Sequence, residues 1–141
     1  VPPARTIFDL VALGAACIAA VGCGADKPLV PVTGRITYAG GDWPMPGYIT
    51  FTPFQSTGAL PARPGSGRFL EDGKFVAGSY GPGDGLMPGK YHVSISCFDP
   101  MDTSKPAAEL NLVPADFKTE DLVVEQGQDS IVLNIDVPKK R

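Results

Sequence analysis

His92 is the only histidine in the 141-residue chain, and it stands in Lys90-Tyr91-His92-Val93-Ser94 with a serine two residues on. Histidine, serine and aspartate together can make a nucleophile, a base and its orienter, and sequence order alone does not exclude such a set. No serine lies in a Gly-x-Ser-x-Gly elbow, however, so a solvated histidine on the polar face of a strand is the simpler expectation. A zinc site needs three or four ligands, and no second histidine or cysteine pair is on offer. Asp84, Asp99 and Asp102 flank the same stretch in loops, without the spacing of an EF-hand. Gly81-Pro82-Gly83-Asp84-Gly85 is glycine-rich but precedes a strand, whereas a phosphate cradle opens a helix. The expectation is therefore no catalytic residue, no metal and no cofactor. Cys97 reads as a buried thiol acting as a small hydrophobe. Trp43, Tyr48 and Phe54 lie in or beside the first two loops and are the candidate ligand-facing aromatics. An exposed platform of this kind would suit sugar rings; the competing reading is that Trp43 caps the open end of the fold, since large aromatics dominate cores.

The elements that must position these residues are strands. From Gly89 to Phe98, Tyr91, Val93, Ile95 and Cys97 share one face, and Lys90, His92, Ser94 and Ser96 share the other. Such period-two alternation marks a half-buried strand. The same reading gives strands near Val30–Tyr38, Tyr48–Pro53, Ser66–Leu70, Lys74–Ser79, Leu122–Glu125 and Ser130–Val137. Asp72-Gly73 between two short runs is a hairpin signal, with Phe69 and Phe75 facing the core from its arms. Phe54–Gly65 reads as a loop, and polar Asp99–Asn111 as an insertion over one end of the fold. About seven short strands, no convincing helix and regular turn signals predict an all-β, Ig-like or transthyretin-like β-sandwich.

Composition agrees. Gly (17) and Pro (15) are abundant without a collagen period, as turns between strands require. The 12 Lys plus Arg stand against 15 Asp plus Glu, which argues against a nucleic-acid partner, since that needs a concentrated basic surface. The one basic cluster, Lys139-Lys140-Arg141, reads as a solvated tail.

Residues 1 to 24 differ from the rest. Arg5 precedes an apolar run from Leu10 to Val21, short of the roughly 20 residues that span a bilayer as a helix and suited to the core of a secretory signal. The run ends in Ala20-Val21-Gly22-Cys23-Gly24, which resembles the lipobox of bacterial lipoproteins. The resemblance implies cleavage after Gly22, a diacylglycerol thioether on Cys23, and a membrane partner reached through that lipid. Residues 1–22 would then be the signal peptide, 23–29 a tether and 30–138 the folded domain. Gly24 would permit an outer-membrane location, and a periplasmic face is the alternative. An uncleaved anchor and a plain secreted signal are the competing readings, with Cys17 a second, poorer lipidation candidate.

The ordered pieces Val32-Thr33-Gly34-Arg35-Ile36-Thr37-Tyr38, Pro46-Gly47-Tyr48-Ile49-Thr50-Phe51-Thr52-Pro53, Asp72-Gly73-Lys74-Phe75 and Gly85-Leu86-Met87-Pro88-Gly89-Lys90-Tyr91-His92-Val93-Ser94-Ile95 resemble the carboxypeptidase regulatory-like domain of small bacterial envelope lipoproteins. That resemblance covers roughly Val30 to Val137. It implies a transthyretin-like (prealbumin-like) sandwich with a non-catalytic accessory, adhesion or binding role, and an envelope protein or polysaccharide as partner. The second reading is a glycan-binding module using the aromatics near Trp43, and the third a small hydrolase using His92.

Overall fold

The computed structural model describes residues 28–101 and 103–141. The expected signal peptide, Cys17, Cys23, most of the expected tether and Asp102 lie outside the described residues.

The alternating segments form seven strands: β1 (Val32–Tyr38), β2 (Gly47–Ser56), β3 (Gly65–Phe69), β4 (Lys74–Val76), β5 (Gly89–Ser96), β6 (Leu122–Val124) and β7 (Ile131–Val137). They make two sheets, ordered β4-β1-β7 and β3-β2-β5-β6, in a sandwich-like, all-β domain. One short helix, α1 (Ala107–Leu110), interrupts the polar insertion. No helix was expected there; it is a single turn after Pro106, held by Leu110 N–H donating to the Pro106 carbonyl at 3.3 Å.

β5 lies in the middle of the larger sheet, between β2 and β6. On its apolar face Tyr91, Ile95 and Cys97 are buried as its alternation requires, Tyr91 fully, while Val93 is only partly covered. A phenol hydroxyl can be buried only with a partner; Tyr91 Oη donates to the Met87 carbonyl at 2.6 Å. Phe51, which pairs with Val93 across β2 and β5, meets the Tyr91 ring diagonally and edge-on at 6.5 Å.

The Asp72-Gly73 turn forms as the sequence requires, with Gly73 at φ 75° and its N–H on the Leu70 carbonyl. It does not join neighbouring strands of one sheet, however. β3 pairs with β2, and β4 pairs with β1 in the opposite sheet. The turn is a corner between the layers, and its arms share a single backbone bridge, Ser66 to Gly78. The reason lies in Phe69 and Phe75. Both are buried, and they enter the core from facing sheets rather than side by side.

β1 and β7 run parallel in register, Val32 opposite Ile131 through Tyr38 opposite Val137. Gly34 permits this approach: a Cβ there would collide with the Leu133 carbonyl.

Candidate functional site

β5 is longer than its cover. β6 pairs only with Gly89, Lys90 and Tyr91. Further along, Leu112 N–H donates to the Cys97 carbonyl at 2.8 Å, and Cys97 N–H donates to Asn111 Oδ1 at 3.1 Å. Between these two covers, Thr119 Oγ1 donates to the Val93 carbonyl at 2.9 Å. Backbone groups of one strand point alternately to its two neighbours, so Val93, Ile95 and Cys97 all direct their N–H and C=O away from β2. No hydrogen bond among the described residues takes up the Val93 N–H or the Ile95 N–H and C=O. These groups open into a groove of about 530 Å³ walled by Asn111, Val113, Pro114 and Ala115 and by Phe117, Lys118, Thr119 and Asp121. A second hollow, about 770 Å³, adjoins it and shares Pro114, Ala115, Phe117 and Lys118. Lys139, Lys140 and Arg141 line that hollow. The terminal basic cluster is not simply solvated: Lys140 Nζ donates to the Glu109 and Asn111 carbonyls, both at 3.2 Å.

His92 stands at the rim. Its Nδ1 lies 2.7 Å from Asp121 Oδ1, with both side chains more than half exposed. Its ring stacks on Phe54, centroids 4.3 Å apart. The pairing of β2 with β5 slips between Pro53 and Gln55, so Phe54 is the extra residue of a β-bulge, a device that re-aims a side chain. Phe54 was expected in a loop; it belongs to β2, which runs on to Ser56. A histidine held by a carboxylate is half of a hydrolytic set. Yet no serine hydroxyl bonds to the imidazole among the described residues.

The candidate aromatics part company. Trp43 is buried, 2% exposed. Its Nε1–H donates to the Ile36 carbonyl at 2.8 Å, and its ring stacks on Tyr38 at 4.7 Å and leans on Phe69 at 5.0 Å. The loop after β1 folds over the end of the sandwich and seals it with the indole, so Trp43 faces no ligand in this arrangement. Tyr48 (54% exposed) and Phe54 (48%) lie on the outer surface of β2. Tyr48 borders a shallow groove with Arg68, Val76 and Tyr80, apart from Phe54.

The loop acids serve the fold. Asp84 turns inward and accepts the N–H groups of Ser79, Tyr80 and Gly81 at 2.8, 3.2 and 2.9 Å. Burial pushes this carboxyl up, but those backbone bonds outweigh it and hold it below the usual range. Asp99 accepts from Met101 N–H at 2.9 Å. Among the described residues, no three His, Cys, Asp or Glu side chains gather as a metal site. Cys97 is buried, its Sγ 3.5 Å from the Met45 and Pro46 carbonyls. Burial, with the Asp99 carboxylate adding to it, pushes the thiol up to about 11, the opposite of what a nucleophile needs.

The groove and the His92–Asp121 pair were not visible in the sequence. A strand covered for only part of its length has no sequence signature, and Asp121 lies 29 residues from its partner. No family model matches the chain, and neither do the curated proteins or solved structures compared with it.

Proposed function

We propose that the chain is a lipid-anchored, non-catalytic module of the bacterial cell envelope, held to the membrane through Cys23, and that it works by binding another protein through the groove beside β5. The resemblance to carboxypeptidase regulatory-like lipoproteins supports the address and the accessory role. The observation that carries the binding role is the interrupted edge of β5. Backbone donors and an acceptor left without partners among the described residues call for water or a ligand, and the adjoining groove gives a ligand room.

Two measurements test this. The mass of the mature amino terminus, taken from an envelope fraction, should show a peptide starting at Cys23 with a diacylglycerol; a start elsewhere without lipid removes the anchor. A photocrosslinker at exposed Ala115, on the groove wall, should give one discrete protein adduct that the same probe at Gln55 does not. Equal labelling from both positions would remove the groove as the contact. For the non-catalytic reading, ester and peptide hydrolysis should be absent from the wild-type chain; activity lost in His92→Ala would reverse it.

A glycan-binding role remains a second reading because Tyr48 and Phe54 are both exposed on β2. It no longer includes Trp43. It predicts retention on envelope polysaccharide that Tyr48→Ala and Phe54→Ala each reduce, and it falls if the wild type is not retained.

A further inference from the structure

Resting on the protein-binding reading above, we propose that the occupant of the groove is an extended, acidic segment of the partner protein, added to β5 as a short strand in line with β6. Four features of the groove point to this ligand.

The first is the spacing of the hydrogen-bonding groups. The free N–H of Val93 and the free N–H and C=O of Ile95 repeat every second residue, about 7 Å apart along a strand. An extended backbone presents its own acceptors and donors at that repeat, which is how strand addition recognises peptides of varied sequence. A compact ligand can meet one of these positions but not both.

The second is the length of the opening. From Tyr91, where β6 stops, to Cys97, where Leu112 takes over, β5 runs for about 20 Å. Thr119 occupies one carbonyl of that span. Two or three residues of added strand fill the remainder.

The third is the composition of the walls. Of the lining residues, Val113 is buried and Phe117 is half-buried against the core. An added strand would point alternate side chains toward this apolar lining and the others toward solvent.

The fourth is charge. Lys118, Lys139, Lys140 and Arg141 line the joined hollows against Asp116, while Asp121 is engaged by His92. The chain as a whole carries a formal charge of −3, so this basic rim is a local inversion. Complementary charge steers and selects partners, and here it selects carboxylates.

The test uses the full chain and a fluorescein-labelled heptapeptide of alternating Val and Glu, followed by fluorescence anisotropy at low salt. The acidic peptide should bind, and added salt should weaken it. Replacing Glu by Lys in the peptide should weaken binding at least about tenfold, and so should the exposed double substitution Lys118→Glu/Lys139→Glu. N-methylation of the three central peptide residues, which removes their donors without touching the protein, should also cost about tenfold or more. Undiminished binding of the N-methylated peptide would overturn strand addition. So would polyphosphate binding as tightly as the peptide, which would make the rim a plain anion site. Failure of every peptide overturns the occupant proposed here, while the anchor and the protein contact are judged separately by the amino-terminal mass and the Ala115 crosslink.

Discussion

Phe54 and His92 lie face to face across two strands, ring centroids 4.3 Å apart and planes inclined by 18°. The contact exists because the bulge in β2 re-aims Phe54, and because Asp121 holds the imidazole at its Nδ1 edge. Both groups are exposed, so the cluster orders the groove rim more than it stabilises the domain. An exposed ion pair is worth about 0–1 kcal/mol and an exposed cross-strand pair about 0.2–1 kcal/mol. Phe54→Ala and His92→Ala should therefore each cost no more than about 1 kcal/mol in urea unfolding. The readout specific to the stack is the proton NMR of the His92 ring, whose shifts should move downfield in Phe54→Ala. Unchanged shifts would show that the rings do not stack in solution.

Trp43 should behave as a core residue. It is the only tryptophan, so its fluorescence reports one site: blue-shifted emission and poor quenching by acrylamide in the native state. Trp43→Phe keeps most of the ring volume but leaves the Ile36 carbonyl without its donor, a cost of about 1–3 kcal/mol. Trp43→Ala should cost about 3–5 kcal/mol. Circular dichroism during denaturation would measure both; a loss below about 1 kcal/mol for Trp43→Ala would contradict the buried placement.

Gly34→Ala is the smallest substitution with a large expected effect. Its methyl would drive into the Leu133 carbonyl, and the seven-residue β1–β7 ladder holds that backbone in place. The expected loss is about 3 kcal/mol or more. Gly40, whose Cβ would meet nothing within 4 Å, has room for the methyl, and its φ of 77° limits the cost of Gly40→Ala to about 1 kcal/mol. Thermal melts of the two variants side by side would separate steric collision from turn strain.

Acid should weaken the fold through two named carboxylates. Asp84 is held below the usual range by its backbone bonds despite burial. Asp136 is held there by the Thr37 hydroxyl and the Gly40 N–H, against a small opposing effect of burial. A carboxyl depressed in the folded state contributes stability above its unfolded value and loses it as pH falls through the folded value. Unfolding free energy should thus be level near neutrality and decline below about pH 4. Asp84→Asn should lower stability at pH 7 and flatten that decline. An unaltered acid limb in both Asp84→Asn and Asp136→Asn would show that these bonds do not form.

Cys97 should resist alkylation in the native state. Iodoacetamide at pH 8 meets a buried thiol pushed up to about 11, so labelling should await opening of the fold. Peptide mapping would follow the peptide carrying Cys97 with and without urea; rapid native labelling would contradict its burial.

Much of this architecture was legible from alternation alone. All seven strands overlap the segments expected from the sequence, although β2 runs on to Ser56 and β4 stops at Val76. Partnership was less legible. Nothing local distinguishes a turn that pairs its arms from one that carries the chain across to the other sheet, and the burial of both Phe69 and Phe75 decided that at Gly73. Trp43 was ambiguous for a related reason: an aromatic in a loop reads the same whether the loop projects or folds inward. The groove required the lengths of β5 and β6 to be compared in space.

The parallel pairing of β1 with β7 has a kinetic consequence. The two strands are about a hundred residues apart, and loop-closure entropy must be met before their contact is rewarded. The smaller sheet therefore cannot close until the last strand has left the ribosome, and folding should be slow for a domain of this size. Until then the core lacks Val137 and the half-buried Ile131, Leu133 and Ile135. A nascent chain in that condition is open to chaperones, and commitment to the native state waits on the seven residues from Ile131 to Val137.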